Sequence, residues 1–297
     1  DVFIHPPVYR TFSVVNFTPL VMVSYAVDHR IFGFDATGFY VHQIAALAAV
    51  SVAVYVLARR WHKGAALWAA LLFLLTGPAA AGVHLLAMRH YIEGALWGLL
   101  ASIMLLPPRQ SSGRAWAGGV FYFLACLSKE IYVPFGLVPF FLVQGSLRKR
   151  FAISLPFWLA LVGYVLWRVH MLGGLGLQSY GNQWWISWQS WSLFSGALVQ
   201  VLSSIWSWRG GGDVGWILVG LHAAAFAFVL FRLYRRKGFL SAAGAVVLLV
   251  GAVGAVAPVW GRLTTDNIRS YRFAFHLALL GSVSFAYGFS VLLKWLE

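Results

Sequence analysis

Acidic side chains are scarce in this sequence: Asp and Glu together number 8 among 297 residues, against 22 Lys and Arg. Charged residues of both signs make up only 10%, where a soluble domain carries about a quarter. That excludes a water-soluble globular domain, which needs polar side chains to cover its surface. Cysteine is almost absent too. Cys126 stands alone in an apolar run, so the chain forms no internal disulfide and has no zinc-binding pattern; its redox compartment stays undetermined. Also missing are a phosphate-cradling Gly-rich loop, a His and carboxylate cluster at helical metal-binding spacing, and a Ser-centred nucleophile elbow. The sequence opens at Asp1 with neither an initiator Met nor a signal segment, and the expectation is a piece of a longer protein lacking its first span.

What the sequence does contain is apolar residue in long runs. Hydrophobic side chains make up 61% and the mean hydropathy is +0.77. Runs of about 20 residues with almost no charge match a hydrocarbon slab of about 30 Å at a rise of about 1.5 Å per residue. The runs are continuous in Leu, Ala, Val and Gly rather than alternating, which favours helices over a barrel. The fold expected is all-α: a polytopic transmembrane helical bundle forming one domain over residues 1–297. The net charge of +14 is not gathered on one arm or face, so nucleic acid is not the expected partner; the lipid bilayer is.

The expected spans run roughly over 38–58, 65–87, 91–106, 115–128, 131–145, 151–170, 214–231, 239–260 and 273–293, about nine crossings. The fourth and fifth are short enough to form one broken hairpin around Ser128, Lys129 and Glu130. Basic residues are retained on the cytoplasmic side near span ends. Five clusters fall on one side of this arrangement: Arg59, Arg60 and Lys63; Arg109 and Arg114; Arg148 to Arg150; Arg232 and Arg235 to Lys237; and Lys294. The N-terminus is then outside and the C-terminus inside. Seven acids, Asp1, Asp28, Asp35, Glu93, Glu130, Asp213 and Asp266, share the outer side. Two stretches are kept out of the crossing count because either would reverse the later loops. Residues 1–37 form an outer loop with an interfacial helix, and 171–213 form an outer Gly- and Trp-rich loop with another.

Three outer constellations have chemistry to offer. Ser128-Lys129-Glu130 places an ion pair inside an apolar hairpin, where ionisable groups usually face a cavity or a partner; it is either a plain outer loop or a site in which Lys129 reaches a phosphate and Glu130 orients it. Around Arg89, His90 and Glu93, the arginine and glutamate are four apart, the spacing of a helical ion pair as much as of a site; His84 nearby reads as an interhelical histidine. Arg269, Tyr271 and Arg272 enter the last span, where arginine serves as a phosphate clamp or simply snorkels. Paired glycines such as Gly118 and Gly119 read as close helix packing.

The order of these motifs resembles the GT-C class of membrane glycosyltransferases, especially the protein O-mannosyltransferase branch and its bacterial relatives. The residues carrying the likeness are Asp1, then Tyr9-Arg10-Thr11-Phe12, Phe32-Gly33, Gly38-Phe39-Tyr40-Val41-His42-Gln43, Gly77-Pro78 through Arg89, Leu127-Ser128-Lys129-Glu130, and Arg269 to Phe273. Departures are Thr11 where Pro is usual, Tyr40 and Gln43 in place of His and Asn, and the absence of the first acid of a pair. The resemblance implies an inverting transfer from a polyprenyl-phosphate sugar donor to a hydroxyl of a protein or glycan acceptor. It implies a multi-pass protein of the bacterial inner membrane with its site facing the periplasm or exterior. Asp1 would be the catalytic base, Arg89, Lys129, Arg272 and Arg269 would bind the donor phosphate, and Arg10, Glu130, Glu93, His90 and Tyr271 would support them. Some members of the class use a divalent cation and some do not; no metal ligand is assigned here. The rival expectations are a polytopic transporter or lipid flippase, and a non-catalytic subunit of the same fold.

Overall fold

A computed structural model describes residues 3–13, 16–105, 111–143, 145–174, 205, 213–237, 239, 243, 245–247, 249–250 and 274–296. Among them eleven α-helices are defined and no strand. They are α1 (Pro6–Phe12), α2 (Pro19–Phe32), α3 (Ala36–Trp61), α4 (Ala66–Leu74), α5 (Gly77–His84), α6 (Arg89–Leu105), α7 (Ser112–Ser128), α8 (Val138–Leu142), α9 (Leu147–Leu172), α10 (Asp213–Lys237) and α11 (Phe275–Leu296).

Local chemistry explains most of the boundaries. Asp35, Thr76, Ser111 and Ser146 are N-caps whose side chains accept from the backbone N–H two or three residues on, satisfying donors that the first turn leaves open. Proline occupies the first turns of α1, α2, α5 and α8, where its missing N–H costs nothing. Gly173 ends α9 at φ 77°, a left-handed conformation that glycine adopts without a Cβ penalty. Arginines finish other helices. Arg60 donates to the Ile103 carbonyl at 2.6 Å, and Arg114 to Ile103 at 2.9 Å and Met104 at 3.2 Å, closing the open carbonyls at the end of α6. Arg150 does the same for Phe140 and Phe141 in α8. Each places positive charge on the negative end of a helix dipole.

The core runs as two joined layers. One packs α3, α4, α6 and α11 around Val50, Val54, Phe73, Met88, Ile92 and Phe275; the other packs α7 and α9 with the N-terminal segment around Tyr9, Phe17, Tyr122, Phe157 and Tyr164. The α7–α9 approach depends on glycine, as expected. A Cβ on Gly119 would lie 2.8 Å from the Pro156 side chain and 3.0 Å from its backbone, and one on Gly118 would lie 2.8 Å from the Phe157 ring.

Among the described residues, two single helices are long and apolar enough to cross a membrane, Ala36–Arg60 and Leu147–Leu172; a third candidate is the bent pair Lys63–Leu74 and Gly77–His84, broken by 53°. The expected span 65–87 is therefore kinked, because Pro78 follows a new N-cap at Thr76. The expected span 131–145 is not one α-helix either. It is a 3-10 helix, Glu130–Leu137, followed by the five-residue α8, since Pro134 and Pro139 each remove a backbone donor. At 17 residues, α6 and α7 rise about 26 Å each. Most of 239–260 lies outside the described residues, as do 175–204 and 206–212 of the Gly- and Trp-rich segment. In the N-terminal segment α2 has 14 residues, a rise of about 21 Å.

Along α9 the exposed residues Phe151, Leu155, Leu159, Val162, Leu166 and Val169 follow one another at spacings of three and four, a single apolar stripe from end to end. Water is a poor solvent for such a surface, and hydrocarbon a good one. Gly119→Ala is expected to wedge α7 from α9 and to lower stability by about 1–3 kcal/mol, read as a lower midpoint of thermal unfolding in detergent, whereas Gly113→Ala, with nothing within 4 Å of the added carbon, should leave the midpoint unchanged.

Candidate functional site

The N-terminal segment 3–32 lies across one end of the bundle, held by hydrogen bonds to residues far along the chain. Trp167 Nε1 donates to the Phe3 carbonyl at 3.0 Å, Arg10 Nε to Met171 at 3.0 Å, and Tyr25 to Leu86 at 2.6 Å. A tight loop is built inside the segment: the Tyr9 hydroxyl donates to the Asn16 carbonyl at 2.7 Å and accepts from the Thr18 N–H at 2.9 Å. Gathered at this end are the start of α3, the junction of α5 and α6, the turn after α7 and the end of α9.

Two polar networks form there, and both grip the first turns of α6. The first centres on Arg89, which is wholly buried. One guanidinium nitrogen donates to Asp28 Oδ2 and, at 3.4 Å, to Ser24; the other donates to the Phe39 carbonyl at 2.7 Å. The Tyr25 ring lies 4.4 Å from the guanidinium carbon, an arrangement in which ring and cation attract. Asp28 is buried as well, and its other oxygen lies 2.6 Å from His42 Nδ1. Ser24 donates in turn to Glu93. Burial pushes the Tyr25 phenol above its ordinary value, against the opposing pull of Arg89.

The second network belongs to the turn after α7. Lys129 Nζ, itself buried, donates to Glu130 at 2.9 Å and to Asn16 Oδ1 at 3.4 Å, and lies 5.8 Å from the Tyr91 ring centre. Arg168 of α9, also buried, donates to the Tyr164 hydroxyl at 3.3 Å. Burial alone would push the Glu130 carboxyl up; the Lys129 ammonium and the Arg168 guanidinium outweigh it and hold that carboxyl below the usual carboxylate range. Two buried cations, Lys129 and Arg168, therefore act on the Glu130 carboxylate.

No protein-family model, curated protein or solved structure matches this chain. The site must be read from its own geometry.

That geometry redistributes the residues singled out in the sequence. Lys129 and Glu130 sit together as their adjacency suggests. Arg89 pairs with Asp28 on α2 rather than with Glu93 four residues on, so its guanidinium is occupied in joining α2, α3 and α6. Arg10 is exposed, and it caps the end of α9 through Met171 and His170. His90 stacks beside Tyr91 with ring centres 4.3 Å apart, and His84 is exposed rather than interhelical. Asp1, Arg269, Tyr271 and Arg272 lie outside the described residues. Among the described residues, no three of His, Cys, Asp and Glu converge as a metal site would require.

Asp28, His42, Asn16 and Arg168 were not assigned from sequence. Asp28 carried a signal as one of the seven outer acids; Arg168 carried another, as an arginine inside an apolar run. Nothing local marked Asn16, whose partner is 113 residues away.

Two outcomes follow. Arg89→Leu leaves Asp28 buried without its cation and is expected to cost about 3–5 kcal/mol, while the double change Arg89→Leu with Asp28→Leu should recover much of the loss; thermal unfolding of the detergent-solubilised protein measures both. The depressed Glu130 carboxyl contributes stability that is fully present above its unfolded value of about 4.3 and is lost as pH falls through the lower folded value. Lys129→Ala should therefore move the acid-unfolding midpoint to higher pH in a titration followed by tryptophan fluorescence.

Proposed function

We propose that this chain is a membrane-embedded glycosyltransferase that moves a sugar from a polyprenyl-phosphate donor to an acceptor hydroxyl at the outer end of the bundle. The observation that carries the reading is the meeting of two buried cations, Lys129 and Arg168, with the Glu130 carboxylate at the end where the N-terminal segment also docks. Fixed positive charge in a water-poor site stabilises a departing phosphate strongly, because no solvent must reorganise as the charge develops. A lipid-linked donor also accounts for a site at a membrane boundary with no Gly-rich nucleotide loop, its polyprenyl tail lying along an apolar face such as the stripe on α9.

In this proposal the chain crosses the bilayer about nine times with the N-terminus outside and the C-terminus inside, and the networks around Asp28 and Lys129 face the exterior or periplasm. The opposed placement of the arginines supports it: Arg60 and Arg114 share the far end of α6, whereas Arg89 begins it. The acceptor is a protein or glycan hydroxyl, and the resemblance assigns the base to Asp1 and further phosphate contacts to Arg269 and Arg272.

One observation speaks for transport instead, the 53° break between α4 and α5, since discontinuous helices often line a substrate path. The polar group at that break is already satisfied internally. Thr76 Oγ1 is buried, donates to the Phe73 carbonyl at 2.7 Å and accepts from the Ala79 N–H, which leaves it nothing to offer a passing solute.

Sidedness is testable with Cys126→Ser as background. Single cysteines at the exposed positions Phe34 and Arg148 are expected to react with a membrane-impermeant maleimide from opposite faces of sealed vesicles; labelling from one face would defeat the arrangement. In a transfer assay with radiolabelled polyprenyl-phosphate hexoses, Lys129→Ala and Arg168→Ala are expected to lower kcat by about 10²-fold or more, the scale of losing one oxyanion-stabilising donor; unchanged turnover in both would dismiss the phosphate-site assignment.

A further inference from the structure

The His42 ring connects the buried Arg89 network to the surface. Its Nδ1 edge is fixed 2.6 Å from Asp28 Oδ1, yet 37% of the side chain is exposed, against 3% for Asp28. The inner edge is held by a buried carboxylate, which leaves Nε2 as the accessible nitrogen. Asp28 is in turn held on its second oxygen by Arg89, which is braced by the Phe39 carbonyl and the Tyr25 ring. A carboxylate accepting from Nδ1–H fixes the tautomer of the neutral imidazole and places the lone pair on Nε2. This is how a second group orients a histidine base. The charged and titratable groups around the dyad are Asp28 and Tyr25 from α2, Arg89 and Glu93 from α6, and Tyr40 on the same helix as His42.

We propose that His42 is the proton acceptor of the transfer reaction, positioned by Asp28 and Arg89. Nε2 takes the hydrogen of the acceptor hydroxyl as the hydroxyl oxygen bonds to the anomeric carbon. The bond from that carbon to the donor phosphate oxygen breaks, and its electron pair leaves on the phosphate towards Lys129 and Arg168. The proposal rests on the transfer reading and moves the base role from Asp1 to His42.

The test uses the full chain in liposomes, radiolabelled polyprenyl-phosphate hexoses and a Ser/Thr-containing peptide. His42→Gly is expected to lower kcat by about 10²–10⁴-fold, the range for losing a general base, with donor KM little changed, and added imidazole should restore at least a tenth of the lost rate. Asp28→Asn, which frees the ring without removing it, should lower kcat with donor KM little changed, and added imidazole should not restore it. Should the glycine variant not fold, His42→Gln replaces it, keeping a donor towards Asp28 without a base. Turnover within threefold of wild type in either variant, or a folded glycine variant that imidazole does not rescue, overturns the proposal. A wild type inactive with every donor defeats the transfer reading itself, and a loss in Asp1→Asn with His42→Gly unaffected returns the base to Asp1.

Discussion

The contact between the Arg89 guanidinium and the Asp28 carboxylate, both removed from solvent, governs how the end of the bundle that carries the N-terminal segment is arranged. Neither group is tolerable alone in such surroundings, since an unpaired buried charge costs several kcal/mol. The pair therefore acts as a positional constraint more than as a source of net stability. It fixes α2 against α6, and by drawing in the Phe39 carbonyl and His42 it fixes α3 against both. Helices of 14, 17 and 26 residues are thereby registered at one point. The Lys129 network depends on the same helix, because Tyr91, two residues beyond Arg89, supplies the ring beside the ammonium.

Arginine serves two different ends of the molecule in two different ways. At the far end Arg60, Arg114 and Arg150 spend their hydrogen bonds on backbone carbonyls where helices finish, a task that any long cation performs. At the end where the N-terminal segment docks, Arg89 and Arg168 are buried among tyrosines and carboxylates, where planarity and fixed charge matter. The same residue type is punctuation in one place and part of a charged cluster in the other. Composition alone does not separate the two uses.

The all-helical character was legible because it depends on run length and on what is absent, properties that no tertiary contact can reverse. So was the close α7–α9 approach, marked by adjacent glycines, and so was the grouping of Lys129 with Glu130. What the sequence withheld were pairings between distant elements. The spacing of Arg89 and Glu93 satisfied a local rule, and a partner 61 residues earlier prevailed because it offered a buried carboxylate together with an aromatic face. Helix continuity differs from expectation at Pro134 and Pro139, though not at Pro156, which α9 accommodates: hydropathy counts the first two as neutral, whereas the backbone registers each as a lost donor. Arg10, expected from the resemblance to support the site, caps the end of α9, a contact visible only once the end of α9 is seen beside it.

The long sequence interval within the Asp28 and Arg89 pair also bears on biosynthesis. A ribosome adds roughly 5–20 residues per second, so α2 emerges on the order of seconds before the arginine that neutralises it, and Asn16 waits longer still for Lys129. During that interval the early segment lacks the partners that hold it in the bundle. Its final docking therefore waits on the synthesis of α6 and of the turn after α7, so this end of the bundle cannot close while the chain is still short.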